Sequence, residues 1–282
     1  MQFDRMRYLR IAVVALLFAS CSPTPPPRAS VVRPVNSPTQ SIDLPPVPTP
    51  SLELTKIPPK ITVREISGIT FTGVSFDRRN SRLVVLDQND GPNSRYSDAA
   101  EAGKSIGGIA AVNGGFFTPE GDPLGLVVSS GKISGSWNTT SSLGSGVWYE
   151  NHRGAGTITR REKLGRVAAT TMLQLIQAGP MLVEDQRAIH GLEATKISAR
   201  TVILWDGGTR WWLGLSSPCS LANLAQSLAT GQPAGWPVER ALNLDGGRSS
   251  DLWISSSIAG GPIIQRPAWN RPVRNFMVLV NK

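Results

Sequence analysis

ALNLDGGRSS, residues 241–250, is a short apolar run that leads directly into an acidic residue and two glycines. The apolar residues predict a buried strand over 242–244, and the paired glycines allow the chain to turn sharply where that strand ends. Successive backbone N–H groups in such a turn form a concave site that favours anions. Asp245 therefore places a carboxylate at the mouth of the turn. We call residues 245–249 the aspartate corner.

A second segment repeats this pattern. AAVNGGFF, residues 110–117, is an apolar run followed by Asn113 and two glycines, and we call residues 113–117 the asparagine corner. Ordinary hairpin turns have the same pattern. WDGGT, residues 205–209, is interpreted as such a turn because a second apolar run follows it at once. The aspartate corner differs, since a basic residue and two hydroxyls follow its glycines.

From residue 60 onward, short apolar runs alternate with turn residues and show no regular strand–helix alternation. This texture predicts an α+β fold, with one domain built on a mainly antiparallel sheet and a few flanking helices. Helices are predicted at 97–105, 170–177 and 217–229, the last with Ser217 as N-cap and Pro218 in the first turn. Strands are predicted at 61–66, 69–76, 82–86, 109–112, 124–129, 146–149, 199–204, 210–215, 242–244 and 276–280.

The first 60 residues differ from the rest in composition. Residues 1–20 carry three arginines and then an apolar run too short to span a bilayer, which is typical of a secretory signal peptide. Ala19-Ser20-Cys21 resembles the lipoprotein cleavage box, in which Cys21 is lipidated; an ordinary signal with an unrelated cysteine is the alternative. Residues 21–60 hold 12 of the 22 prolines and are predicted to form a tether. The sequence thus predicts an exported protein, lipid-anchored in the periplasm or at the cell surface.

The formal net charge of +9 is scattered along the chain. Neither zinc-finger spacing nor an aromatic RNA-binding motif accompanies the basic residues, so nucleic-acid binding is not expected. Membrane contact is expected through the lipid anchor only. Arginine predominates over lysine, and its planar fork suits phosphate groups.

Five segments, in chain order, resemble the phosphodiester glycosidase family. They are AAVNGGFF (110–117), QAGPMLV (177–183), SARTVILWDGG (198–208), ALNLDGGRSS (241–250) and RPVRNFMVLV (271–280). The resemblance covers about residues 61–282. It implies a hydrolase that cleaves the bond between an anomeric carbon and a phosphate oxygen, with a glycosyl phosphodiester or another anionic glycan as substrate. The chain departs from the family pattern at Arg248, where a third glycine is common, and at Val202-Ile203-Leu204.

The resemblance also implies a site. Asp245, Arg200 and Asn113 are the implied catalytic residues. Arg200 would bind the phosphate through two parallel hydrogen bonds, and the glycine N–H groups would cradle it. Asp245 would stabilise positive charge at the anomeric carbon, act as nucleophile or activate water, and these three roles remain open. The implied substrate-binding residues are Gly114, Gly115, Phe116, Gly179, Thr201, Gly246, Gly247, Arg248 and Ser249.

Two alternatives to this function remain. One is a non-catalytic envelope domain that binds anionic polysaccharide through the same corners. The other is a hydrolase of another ester or amide, although GRSSD lacks the strand-Gly-x-Ser-x-Gly elbow. The loop 255–275, with Arg266, Trp269 and Arg271, is interpreted either as a lip over the site, with Trp269 stacking on a sugar, or as an ordinary surface loop.

No organic cofactor is expected, whereas a metal requirement is left open. Several acidic residues are potential calcium ligands, but the sequence contains no ordered calcium-binding loop. These residues are Asp87, Asp90, Asp122, Glu184 and Asp185.

Overall fold

A computed structural model describes residues 57–282. The proposed signal peptide, the proposed lipidation site at Cys21 and nearly all of the proposed tether lie outside these residues. Within them, no helix combines the length and the apolar character that crossing a bilayer requires.

The described chain forms seventeen strands and four α-helices. The strands are β1 Lys60–Ile66, β2 Ile69–Asp77, β3 Ser81–Asp87, β4 Ala110–Asn113, β5 Val127–Ser129, β6 Lys132–Ser134, β7 Gly146–Glu150, β8 Gly156–Arg160, β9 Gln174–Ala178, β10 Met181–Glu184, β11 Arg187–Ala188, β12 Ser198–Trp205, β13 Arg210–Cys219, β14 Arg240–Asn243, β15 Leu252–Ile254, β16 Ile263–Gln265 and β17 Asn275–Asn281. The helices are α1 Ala99–Ser105, α2 Arg161–Leu164, α3 Arg166–Ala169 and α4 Leu221–Thr230, with short 3-10 helices at Ser142–Gly144 and Gly247–Ser249.

Three antiparallel sheets organise these strands, which confirms the predicted fold class. The first sheet has the order β1-β2-β13-β12-β14-β10-β11, the second β16-β15-β4-β17-β3, and the third β6-β5-β9-β7-β8. Neighbours along the chain form hairpins where turn residues separate them. The predicted hairpin at 205–209 is confirmed, since Trp205 pairs with Trp211 across it.

The main hydrophobic core lies where the inner faces of the three sheets meet. It joins Leu213 of the first sheet, Met277 of the second and Ile176 of the third, all of them buried. The outer face of the first sheet is covered by α4, whose Leu224 and Leu228 pack with Phe71, Val202 and Leu204 among others. The helix α1 packs on the second sheet in the same way. Burial on both faces explains the apolar run at 110–112 in β4.

The helix predicted at 170–177 is wrong. Residues 174–178 form β9, which lies between β5 and β7 in the third sheet. All five residues of this strand are buried. The two glutamines kept this segment from being predicted as a buried strand. Their side-chain amides can be buried because they form hydrogen bonds with backbone groups. The Gln177 carbonyl Oε1 accepts hydrogen bonds from the N–H groups of Leu126 and Asn138.

The predicted start of the helix at 217 is also wrong. β13 continues through Ser217 and Pro218 to Cys219, which pairs with Ser198. The helix begins only at Leu221, with Ser220 as N-cap, because the Ser220 hydroxyl accepts the N–H of Asn223 at 3.2 Å. The first predicted helix forms closer to its expected place, as α1, with Asp98 as N-cap.

Candidate active site

The two glycine corners come from different sheets and meet. β4 of the second sheet leads into the asparagine corner, and β14 of the first sheet leads into the aspartate corner. The backbone N–H of Asp245 donates to the carbonyl of Gly114 at 3.0 Å. In return, the side-chain amide of Asn113 donates to the carbonyl of Asp245 at 2.6 Å. These two bonds fix the corners against each other.

Asn113 is the centre of this junction rather than part of an open surface. Its side chain is fully buried, and its Oδ1 accepts the hydroxyl of Thr201 at 2.7 Å and the N–H of Asp251 at 3.1 Å. Thr201 is equally buried, so it supports Asn113 instead of lining a cavity. Both residues lie within the predicted site, where the structure gives them positioning contacts.

Asp245 presents a carboxylate in a nearly closed setting, with 5% of the residue exposed. Its Oδ1 accepts the N–H of Gly246 at 2.9 Å, and its Oδ2 lies 3.4 Å from Nη2 of Arg271. Burial raises the pKa of this carboxyl above its ordinary value, although hydrogen bonding from Ser249 and the charge of Arg271 act in the opposite direction. Asp245 is therefore an unusually basic aspartate.

Arg271 is the arginine that reaches Asp245. Its Nε donates to the hydroxyl of Ser249 at 2.9 Å, and its guanidinium stacks 4.6 Å from the ring centre of Phe117. The side chain remains 44% exposed, so its free donors are accessible to a ligand. Phe117 belongs to the asparagine corner, so this corner supports the cation that faces the other corner. From the sequence, Arg271 was noted as part of a possible lip and as the first residue of the segment 271–280, without a role in the site.

The loop that carries Arg271 is fastened to the aspartate corner. The carbonyl of Arg248 accepts both the N–H of Arg271, at 2.9 Å, and the side-chain amide of Asn270, at 3.0 Å. In turn, Nε of Arg248 donates to the carbonyl of Trp269 at 3.0 Å. Arg248 thus holds the loop in place. This geometry agrees with the lip interpretation of the loop.

Arg200 has a different setting from the one expected. Its Nε donates to the carbonyl of Cys219 at 3.2 Å, and its Nη2 donates to the carbonyl of Lys196 at 2.8 Å. The residue is only 8% exposed, and burial lowers its pKa. The Nε and Nη2 donors, which form one edge of the guanidinium, are therefore already bonded to backbone carbonyls of the protein. The expected two-bond contact with phosphate is not available from that edge.

The glycines of the asparagine corner also lack free donors. The N–H of Gly114 donates to the carbonyl of Asn275 at 2.8 Å, and the N–H of Gly115 donates to Oδ1 of the same residue at 2.7 Å. A Cβ on Gly114 would collide with that Oδ1. These glycines are required by close packing, and the hypothesis that their N–H groups cradle an anion does not fit this corner.

The aspartate corner is the more open of the two. Gly247 has φ +61, a left-handed conformation that suits glycine, and it begins the 3-10 helix. Ser249 is fully buried beneath this turn, where it contacts Arg271. Within residues 57–282, the N–H groups of Gly247 and Arg248 have no hydrogen-bond acceptor. They are the backbone donors that a ligand would find here.

The two other predicted residues have packing roles. Gly179 lies beneath the 3-10 helix at Ser142–Gly144, and its carbonyl accepts the side-chain amide of Asn243 at 2.8 Å. Phe116 is half-buried and packs on the main core. Neither residue forms a hydrogen bond with the carboxylate of Asp245.

The described residues contain no group of three or more His, Cys, Asp or Glu side chains arranged to hold a metal ion. Four of the five acidic residues named as potential calcium ligands lie within 4.0 Å of a cationic side chain, Asp122 and Asp185 at the longest distances. Asp87 is paired with Arg274 at 2.9 Å in the protein interior, and Glu184 contacts Arg160 and Lys163.

In chemical terms, the site joins a buried, basic carboxylate to a half-exposed guanidinium held on an aromatic ring. An anionic group can bind the guanidinium while an electron-poor carbon faces the carboxylate. The carboxylate of Asp245 accepts hydrogen bonds from Gly246, Ser249 and Arg271, and none of these residues is a second acid.

Comparison with known proteins supplies a family. A family profile described as phosphodiester glycosidase matches residues 107–280, which is more than half of the chain and contains both corners. A search of curated protein sequences finds no match.

Solved structures resemble the chain at low sequence identity. The catalytic domain of zebrafish N-acetylglucosamine-1-phosphodiester α-N-acetylglucosaminidase, auto-inhibited by its pro-peptide, superposes with a TM-score of 0.56 at 19% identity, over 80% of this chain and 83% of that one. A hypothetical protein from Synechocystis gives a TM-score of 0.53 at 17% identity, over 79% of this chain and 61% of that one. At such identities these likenesses establish a shared fold.

Proposed function

The chain belongs to the phosphodiester glycosidase family, and on that premise we propose that it hydrolyses the bond between an anomeric carbon and a phosphate oxygen in a glycosyl phosphodiester. The observation that carries the proposal is the pairing of Asp245 with Arg271 where the two corners meet, with 3.4 Å between Oδ2 and Nη2. One group suits an electron-poor carbon and the other suits a phosphate. The substrate class has both.

Arg271 is the proposed phosphate ligand. Its guanidinium is accessible, and its position is fixed by Ser249 on one side and by the ring of Phe117 on the other. A cation held in this way before substrate arrives loses little conformational freedom on binding. It also stabilises the negative charge that grows on the phosphate as the bond breaks.

Asp245 acts on the anomeric carbon. The three roles of nucleophile, water-activating base and stabiliser of positive charge all need its ionised form, and its raised pKa makes that form a better base than an ordinary aspartate. The leaving group is a phosphate monoester with a second pKa near ~6, so it departs without much help from a general acid. A site without a second acid beside Asp245 therefore suits this reaction, although most glycosidases use two carboxylates.

The proposed location is the cell envelope. It rests on the signal-like residues 1–20, on Cys21 after two small residues and on the proline-rich segment that follows. Cys21→Ala should prevent lipidation, so that the protein no longer partitions into detergent when membranes are extracted with Triton X-114. Partition of the variant like the wild type would contradict the anchor.

The activity is tested with purified full-length protein and a panel of 4-nitrophenyl glycosyl phosphodiesters. Cleavage at the anomeric carbon yields free sugar and 4-nitrophenyl phosphate, whereas cleavage at the aryl ester yields 4-nitrophenol and a sugar phosphate. In water enriched in oxygen-18, no label should enter the phosphate monoester. Label in that phosphate would show attack at phosphorus and contradict the proposal.

Two controls separate the alternatives. Bis(4-nitrophenyl) phosphate and 4-nitrophenyl acetate report other phosphodiester and ester hydrolysis, and neither should be cleaved faster than by an Asp245→Asn variant. Binding of anionic polysaccharide without turnover of any glycosyl phosphodiester would instead favour a non-catalytic binding domain.

A further inference from the structure

A groove adjoins the aspartate corner. Its volume is about 610 Å³, within the roughly 300–1,000 Å³ of typical small-molecule sites. Gly247 and Arg248 form part of its wall, and Trp269 from the fastened loop forms another part. These residues stand one step along the chain from Asp245-Gly246 and two residues from Arg271. The groove therefore lies beside the candidate active site, and neither Asp245 nor Arg271 lines it.

The groove presents apolar surface that the fold leaves uncovered. Trp269 is 78% exposed and Ile197 is 60% exposed, and both line it. All eight tryptophans of the chain fall within the described residues, and the other seven are buried or half-buried. Leaving one indole in water at the edge of a site has a cost in hydration unless a ligand covers it.

The backbone at Trp269 is also held in place. Its carbonyl accepts Nε of Arg248, and the next residue, Asn270, donates its side-chain amide to the carbonyls of Arg248 and Ser250, each at 3.0 Å. Asn270 further closes a turn with Pro267. An exposed indole on a fastened loop is a platform on which a sugar ring can stack.

The charge of the groove selects an anionic ligand. Arg248 and Arg266 line it, and no acidic residue does. Arg266 forms an ion pair with Asp98 at 3.2 Å. The terminal nitrogens of Arg248 have no hydrogen-bond partner within residues 57–282. A chain of sugars that carries phosphate or carboxylate groups matches both the aromatic platform and the two cations.

We propose that this groove binds the continuation of an anionic glycan chain whose reacting unit lies at Asp245, so that the preferred substrate is a polymer rather than a single glycosyl phosphate. The inference rests on the proposed function and names its substrate class. Trp269 stacks on a sugar ring beyond the cleaved bond, and Arg248 contacts the next anionic group.

The test compares a short and a long substrate. The short one is a 4-nitrophenyl hexosamine phosphodiester, and the long one is a synthetic hexamer of hexosamines joined through 1-phosphodiester bonds. Trp269→Ala should lower the ratio of kcat/KM for the hexamer to that for the short substrate by about threefold to tenfold, as expected for one lost stacking contact. Trp269→Phe should restore most of it. Val63→Ala, which trims a side chain 60% exposed on β1, serves as matched control.

Binding is measured separately so that the two proposals fail in different ways. In the Asp245→Asn background, calorimetry should show that the hexamer binds, that added Trp269→Ala weakens this binding, and that rising salt weakens it too. If the wild type cleaves neither substrate, the proposed function fails while the binding result still decides the groove. An unchanged ratio with unchanged binding overturns the inference.

Two further outcomes would assign the groove to another occupant. Equal affinity for a neutral dextran of the same length would overturn the anionic assignment. A concentration-dependent dimer in analytical ultracentrifugation that Trp269→Ala abolishes would show that a second copy of the chain covers the groove.

Discussion

The asparagine corner and the aspartate corner share one sequence pattern but differ in what surrounds them. In the asparagine corner, Asn275 accepts hydrogen bonds from the N–H groups of both glycines. The side chain of Asn113 forms hydrogen bonds only within the protein. In the aspartate corner, the carboxylate meets a half-exposed arginine, and the first N–H groups of the 3-10 helix are open. One corner is a joint between sheets, whereas the other carries the candidate site.

The difference shows that two glycines after a strand make a close approach possible without deciding what approaches. At the first corner it is another strand, β17, through Asn275. At the second it is solvent and, in our proposal, a sugar phosphate. Replacing residues at each corner should therefore give opposite signatures, namely lost stability at the joint and lost turnover at the site.

The largest expected effect follows from Asp245→Asn. This variant keeps the shape of the side chain but removes the charge, so we expect kcat to fall by at least about a thousandfold. Steady-state kinetics on the 4-nitrophenyl phosphodiester measures the loss. Turnover within tenfold of the wild type would remove Asp245 from the reaction.

The same variant should gain stability. Because the pKa of Asp245 is raised in the folded state, folding disfavours its ionised form, and the charge costs stability at neutral pH. Asp245→Asn should therefore unfold at a higher temperature than the wild type at pH 7. The gain should vanish below about pH 4, the ordinary carboxyl pKa, where the aspartate is protonated in both states. A lower melting temperature at pH 7 would contradict this account.

The joint is tested by Asn113→Ala. The change leaves the carbonyl of Asp245 and the N–H of Asp251 buried without partners, so it should lower the free energy of unfolding by about 3 kcal/mol. Urea denaturation measures this loss. Asn281→Ala, on an exposed residue at the end of β17, should change it by less than about 0.5 kcal/mol. Equal effects at the two positions would mean that the corners are not coupled through Asn113.

Substitutions of Arg271 and Arg200 should distinguish a residue that binds substrate from one that supports the fold. Arg271→Ala should lower kcat/KM about a hundredfold with little change in melting temperature, because it removes an accessible donor to the phosphate. Arg200→Ala should instead reduce stability by about 1–3 kcal/mol, since the buried carbonyl of Cys219 and the partly buried carbonyl of Lys196 lose their donor. A purified Arg200 variant of normal stability with a hundredfold loss of kcat/KM would restore the expectation that this residue binds the phosphate.

The smallest expected effect is a change in pH dependence. The charge of Arg271 lowers the pKa of Asp245, so Arg271→Gln should raise that pKa further. If the reaction needs the carboxylate, the acid limb of the kcat/KM profile should move to higher pH in the residual activity of the variant. A shift to lower pH, or no shift, would mean that the limb belongs to another group.

Local patterns predicted the parts of the fold that local physics decides. The turn at 205–209 could be recognised because Asp-Gly between apolar runs favours a tight hairpin, and its strands indeed pair from Trp205 and Trp211 onward. β9 could not be recognised, because its Gln177 finds its partners at Leu126 and Asn138, far away in the chain. The helix α4 was placed too early because Ser217-Pro218 fits a helix start as well as the end of a long strand.

The candidate site likewise contains residues that the sequence could predict and residues that it could not. Asp245 and the glycines around it could be named from the pattern and from the family resemblance. The choice between Arg200 and Arg271 could not, because it depends on which guanidinium reaches Asp245 once the sheets have packed. Trp269 was noted in the sequence, but its exposure and its fastening through Arg248 and Asn270 belong to the tertiary structure.

The meeting of corners from two different sheets has a consequence for how the protein would lose activity. Each sheet keeps its own ladder of hydrogen bonds, whereas only a few contacts, centred on Asn113, hold Asp245 in place. A small sliding of one sheet past the other would misplace the carboxylate while nearly every ladder stayed intact. On heating, enzymatic activity would then be lost at a lower temperature than the secondary structure that circular dichroism measures.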